Sequence, residues 1–114
     1  MKQYTSNEQT AKLVELGFAK PKGWCAEGIS SHLHMYKRRE DDEGFNYSIA
    51  ELIELLPPTI TSIKGRDNFL LIEHFYYEFR VRYGGRPDLL LITNEELVDA
   101  LYNMIVKLKE EGVI

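Results

Sequence analysis

Residues 93–114, TNEELVDALYNMIVKLKEEGVI, constrain the fold more than any other stretch. Leu97, Leu101, Met104, Ile105 and Leu108 recur at three- and four-residue spacing, which puts an apolar stripe on one side of a helix. Thr93 and Glu96 have the spacing of a capping box. Glu95, Glu96 and Asp99 place negative charge at the positive end of the helix dipole, with Lys107 and Lys109 near the opposite end. Gly112 is the expected stop. About 17 helical residues make a rod of roughly 26 Å, long enough to cross a small sheet. Such a stripe needs an apolar partner, and the aromatic-rich residues before it are the expected one.

Two further capping boxes precede it. Ser6 with Gln9 opens a helix expected over 7–16, with Gly17 as its C-cap and Phe18 folding back beneath it. Ser48 with Glu51 opens a helix expected over 49–56, with Ile49, Leu52, Ile53 and Leu56 buried. Pro57-Pro58 ends it. Between these helices, Ala19 to Ser31 reads as loop, with Trp24 pinning it to the core or offering a ligand platform. Ser31 to Lys37 reads as a short strand. Lys37-Arg38-Arg39 followed by Glu40-Asp41-Asp42-Glu43 reads as an exposed loop of self-compensating charge.

Residues 59–92 carry the β signal. Ile60, Ser62 and Lys64 alternate with Thr61 and Ile63, and Lys64 to Asn68 has the composition of a hairpin loop. Phe69 to Tyr83 is rich in aromatic and branched residues. As one strand it would span roughly 50 Å, longer than strands usually run, so a turn or bulge is expected near His74 to Tyr76. Beyond it, Tyr77, Phe79, Val81 and Tyr83 are expected on one face and Glu78, Arg80 and Arg82 on the other. Gly84 to Asp88 reads as a turn and Leu89 to Ile92 as a last strand. The expected architecture is α+β: a three- or four-stranded antiparallel sheet over about 59–92. The terminal helix crosses it, and two short helices precede it.

At 114 residues the chain has the length of a single domain, 1–114, able to bury a core without disulfides or metal. The lone Cys25 excludes an internal disulfide and suits a reducing cytoplasm. The first residues, MKQYTSNEQT, lack the apolar segment of a signal peptide. No apolar run reaches the ~18 residues of a membrane helix. A net charge of −4 weighs against broad nucleic-acid binding.

No cofactor motif is present, and no residues are assigned to catalysis. His32-x-His34, with Cys25 upstream, is a fragment of a metal site that needs two more ligands; exposed strand histidines are the simpler reading. Nothing marks Cys25 as an activated nucleophile. Lys64, Arg66, Arg80, Arg82 and Arg86 form a basic set around one strand face, to which Tyr76 adds an aromatic if the register runs through. That is the composition of a single-strand nucleic-acid platform. A solvated face with Glu78 paired to an arginine is the competing reading.

NYSIAELIELLP (46–57) and NEELVDALYNMIVKLKEEGVI (94–114), with YTSNEQTAKLVELGF (4–18), resemble a group of small uncharacterised proteins encoded in phages, prophages and mobile elements of gut bacteria. The resemblance spans most of the chain and rests on cap-plus-helix patterns. It implies context only: a small cytoplasmic accessory protein, with no residues to carry over. The expected function is therefore that of a non-enzymatic interaction protein with an unidentified protein partner or a second copy of itself. A nucleic-acid binder using Lys64, Arg66, Arg80, Arg82 and Arg86 is the alternative, and a metal site around His32 and His34 the second.

Overall fold

A computed structural model describes residues 2–21, 46–61, 67–84 and 91–114, together with the backbone of 24–29, 32–37 and 90. The elements, in order, are α1 (Asn7–Glu15), β1 (Trp24–Ile29), β2 (His32–Lys37), α2 (Ile49–Leu55), β3 (Thr59–Thr61), β4 (Asp67–Phe75), β5 (Glu78–Tyr83), β6 (Leu90–Asn94) and α3 (Leu97–Glu110). β3 to β6 form a four-stranded antiparallel sheet in sequence order, and β1 pairs with β2 as a separate hairpin. The α+β architecture expected from the sequence is the observed one.

Two of the three expected capping boxes form. The Ser6 hydroxyl accepts from the Gln9 N–H at 3.1 Å while the Gln9 side chain accepts from the Ser6 N–H at 2.9 Å. Ser48 and Glu51 repeat the arrangement at the start of α2. Each box satisfies amide donors that the first helical turn leaves without a partner. Gly17 and Gly112 follow α1 and α3 with φ of 98° and 75°, the left-handed conformation that glycine adopts without a Cβ clash.

The third box does not form. α3 starts at Leu97 with Glu96 as its N-cap and no side-chain cap bond. Thr93 is held in β6, opposite Arg80. The Asn94 side chain instead accepts from the Glu96 N–H at 2.9 Å, and the Glu96 carboxylate accepts from the Lys2 backbone N–H at 2.9 Å. Pairing into the sheet took the residue that local spacing had assigned to the helix.

The core lies between α3 and the inner face of the sheet. Val98, Leu101, Met104, Ile105 and Leu108 are fully buried, as are Val81 and Tyr83 on β5. Leu52 of α2, the C-cap Leu56 and Leu13 of α1 join the same cluster. The Tyr83 hydroxyl donates to the Pro57 carbonyl at 2.7 Å, and burial pushes its pKa up to about 12. Tyr47 is buried beside α2 with its hydroxyl on the Ala19 carbonyl; burial, then the Glu51 charge, pushes it up to about 12. Loss of water disfavours the phenolate in both.

A buried polar knot joins α1 to the lead-in of α2. Thr5 and Thr10 share a hydroxyl contact at 2.7 Å, the Tyr47 N–H donates to Thr5 Oγ1 at 3.0 Å, and the Thr5 N–H donates to the Tyr47 carbonyl at 2.9 Å. Lys2 closes the other side: its Nζ lies 2.8 Å from Asp99 Oδ1, which also accepts from Gln9 Nε2 at 2.8 Å.

Four further expectations are corrected. The backbone of Trp24–Ile29 is a strand rather than loop, because it pairs along its whole length with β2, Trp24 opposite Lys37 through Ile29 opposite His32. Asp67 and Asn68 belong to β4, not to the preceding loop: Asn68 is buried and its Nδ2 donates to the Ile60 carbonyl at 3.1 Å. Ile53 is 37% exposed, since α2 turns only the Leu52 and Leu56 side inward. Tyr77 does not share a face with Val81 and Tyr83, because it sits in the turn between β4 and β5.

Candidate interaction surface

The expected turn falls at Tyr76–Tyr77, flanked by the paired residues Phe75 and Glu78. Two-residue hairpin loops need a positive φ at their first position, normally supplied by Gly, Asn or Asp. Here Tyr76 takes it, with φ 55°, and is the one described non-glycine residue to do so. Placing an L-residue with a bulky side chain there costs about 1–2 kcal/mol. The ring gains little burial in return: Tyr76 is 80% exposed and Tyr77 89%. Strain of this kind persists where the surrounding pairing imposes it, and it clusters at functional positions.

The register of β4 with β5 divides the hairpin into two faces. Opposed residues project the same way, so Leu71 goes with Arg82, Glu73 with Arg80 and Phe75 with Glu78. Phe69 lies on this same outer face and is 62% exposed; Phe75 is 48% exposed. The opposite face carries Ile72, also exposed, and His74, whose ring stacks on Phe79 at 4.3 Å between centroids. The tip of the hairpin thus shows apolar groups on both sides. α3 packs against β5 and β6 and leaves β4 beyond Leu70 uncovered among the described residues.

Among the described residues the hairpin also has an unpaired edge. The Phe69 carbonyl accepts from the Gly84 N–H, whereas the Leu70 N–H turns the other way and donates to the Pro58 carbonyl, each at 3.0 Å. Because the direction alternates along a strand, Ile72 and His74 aim their N–H and C=O groups away from β5. β3 pairs with β4 only over Asp67–Phe69, and Pro57-Pro58 stops it there. No described strand lies beside Leu71–Phe75 on that side. Such an edge is a template for another strand unless charge, proline or a covering element blunts it.

The basic set is partly described. Arg80 lies over the Phe75 ring at 4.5 Å and its Nε is 3.3 Å from Glu78 Oε1. Arg82 Nε is 2.6 Å from Glu73 Oε1. Lys64, Arg66 and Arg86 lie outside the described residues, as do the side chains of Trp24, Cys25, His32 and His34 and the charged run at 38–43. In the β1–β2 hairpin the backbone sets Cys25 opposite Tyr36, Glu27 opposite His34 and Ile29 opposite His32. Tyr76 sits in the turn, not on the arginine face, with its ring edge-on to Phe75 at 4.6 Å. No cluster of three or more metal-ligating side chains occurs among the described residues, and no helix among them is long and apolar enough to cross a membrane.

Sequence reasoning placed the arginines on one face but missed the open edge. The signal was available: Pro57-Pro58 shortens β3, and β4 then outruns it. No family model, curated protein or solved structure matches this chain.

Proposed function

We propose that this chain is a small cytoplasmic accessory protein of the phage or mobile-element kind. It acts by presenting the β4–β5 hairpin to another macromolecule rather than by catalysis. The observation that carries the reading is the tip of that hairpin: Phe75, Tyr76 and Tyr77 stand exposed in a row, with exposed Leu71 and Ile72 behind them. Contiguous exposed apolar groups on a small protein mark interaction sites, and tyrosine is enriched among the residues that dominate binding energy. The strained Tyr76 backbone adds to this, since a stability optimum would place glycine there.

A photo-crosslinking residue at position 77, in the cells that make the protein, tests it. Discrete adducts from position 77, absent from the exposed control position Glu15, are expected. No adduct, or the same adducts from both positions, would overturn the reading.

A second reading has its own support. Exposed Phe69 and Phe75 flank Arg80 and Arg82 on one open sheet face, the arrangement of a stacking platform for single-stranded nucleic acid. The carboxylates of Glu73 and Glu78 on the two arginines, and the net charge of −4, place it second.

A further inference from the structure

We propose, building on the interaction reading, that the occupant of the open β4 edge is a second copy of this chain. Its own β4 adds antiparallel about a two-fold axis through Glu73, joining the two sheets. Three observations select this occupant and register.

The first is the bonding pattern. Ile72 and His74 are the residues whose backbone groups face outward, since Leu70 already donates to Pro58. Outward-facing residues must oppose one another across a new antiparallel pair. A two-fold axis at Glu73 sets Ile72 opposite His74 of the second copy, and the reverse, so that every N–H and C=O that Ile72 and His74 turn outward is bonded. An axis at Ile72 would set His74 of the copy against Leu70, where Pro58 already stands. An axis at His74 would set Ile72 against Tyr76 in the turn.

The second is length. The gap is bounded by Pro58 opposite Leu70 at one end and by the turn at Tyr76 at the other. In the chosen register the copy's strand ends at Phe75 opposite Leu71, and its chain reverses at Tyr76, just where β3 begins. An extended peptide would have to break off at the same point; the second copy does so by its own hairpin.

The third is the side chains. Leu71 meets Phe75 of the copy on the outer face, twice, and Ile72 meets His74 on the inner face, twice, so that exposed apolar groups cover each other. Glu73 meets its own equivalent on the axis. Each carries an Arg82 at 2.6 Å and has Arg80 directly across the strand pair, so the cluster as a whole is not one of bare like charges. The interface is small, so the dimer is concentration-dependent rather than obligate.

The test uses the full chain with Cys25→Ser as background. Residues facing each other on a two-fold axis as a non-hydrogen-bonded pair have Cα atoms about 4.5 Å apart, within disulfide reach. Glu73→Cys is expected to form a disulfide dimer under mild oxidation. Leu71→Cys, about 13 Å from its equivalent by strand rise, is expected not to. Sedimentation velocity is expected to show a monomer–dimer equilibrium that His74→Pro abolishes, since that change removes an outward N–H and no bond to β5. A chain that stays monomeric and does not cross-link at 73 overturns the proposal, as does equal cross-linking from 71 and 73. The two readings separate at position 77: adducts to a different protein there, with no cross-link at 73, overturn self-pairing and leave the interaction reading standing. No adduct at 77 together with no cross-link at 73 removes both.

Discussion

Arg82 Nε lies 2.6 Å from Glu73 Oε1, across the β4–β5 pair. One of the arginines that the sequence offered to a phosphate therefore already holds a carboxylate, and Arg80 is likewise beside Glu78 while it caps the Phe75 ring. Oligonucleotide binding would have to exchange these contacts for phosphate contacts. Fluorescence anisotropy with single-stranded and duplex oligonucleotides at low salt is expected to show no binding. Binding that falls steeply with salt, and that Arg80→Glu with Arg82→Glu removes, would move the function to nucleic acid.

Tyr76 separates stability from function. Tyr76→Gly is expected to relieve the left-handed backbone and to change stability by between zero and about +1 kcal/mol, because the added freedom of the unfolded chain offsets part of the gain. Tyr76→Val, β-branched at positive φ, is expected to destabilise by more than about 1 kcal/mol. Urea unfolding of both variants checks the order. The glycine variant is also expected to weaken partner capture through the hairpin despite its stability; unchanged capture would remove Tyr76 from the surface.

The Lys2–Asp99 pair predicts a pH dependence. Burial pushes the Asp99 carboxyl up, but the hydrogen bonds from Lys2 and Gln9 and the Lys2 charge outweigh it and hold the group below its ordinary value of 3.8. The unfolded chain then takes up this proton first, so the stabilisation is present above the ordinary value and is lost as pH falls through the lower folded one. Both side chains keep about a quarter to a third of their exposure, 26% and 33%, so the contribution is below about 1 kcal/mol. Asp99→Asn is expected to flatten the acid limb of the stability curve, measured by urea midpoints between about pH 7 and pH 3.

The caps give a graded set. Ser6→Ala and Ser48→Ala are each expected to cost about 1 kcal/mol, because each leaves an amide of the first turn without its acceptor. Thr93→Ala, at a position that caps nothing, is expected to stay within about 0.5 kcal/mol. In the core, Leu101→Ala should cost roughly 2–5 kcal/mol, and Ile53→Ala much less, since Ile53 is already part in solvent. Chemical denaturation of the series measures all five.

The residue pattern by itself determined the elements whose cause is local. Ser6 with Gln9, Ser48 with Glu51, the stripe from Leu97 to Leu108 and the stop at Pro57-Pro58 each act within a few residues, so α1, α2 with its end, and α3 were legible. Local spacing misled where a partner distant in sequence competed for the same residue: Thr93 had the form of a cap, and pairing with Arg80 made it strand. Only the tertiary structure decided which apolar residues are core. Phe69 to Tyr77 is apolar on both faces, so period alone does not say which side is covered. The answer depends on how far α3 and β3 reach along β4. α3 lies over β5 and β6, β3 runs only from Thr59 to Thr61, and the outer half of the hairpin stays exposed.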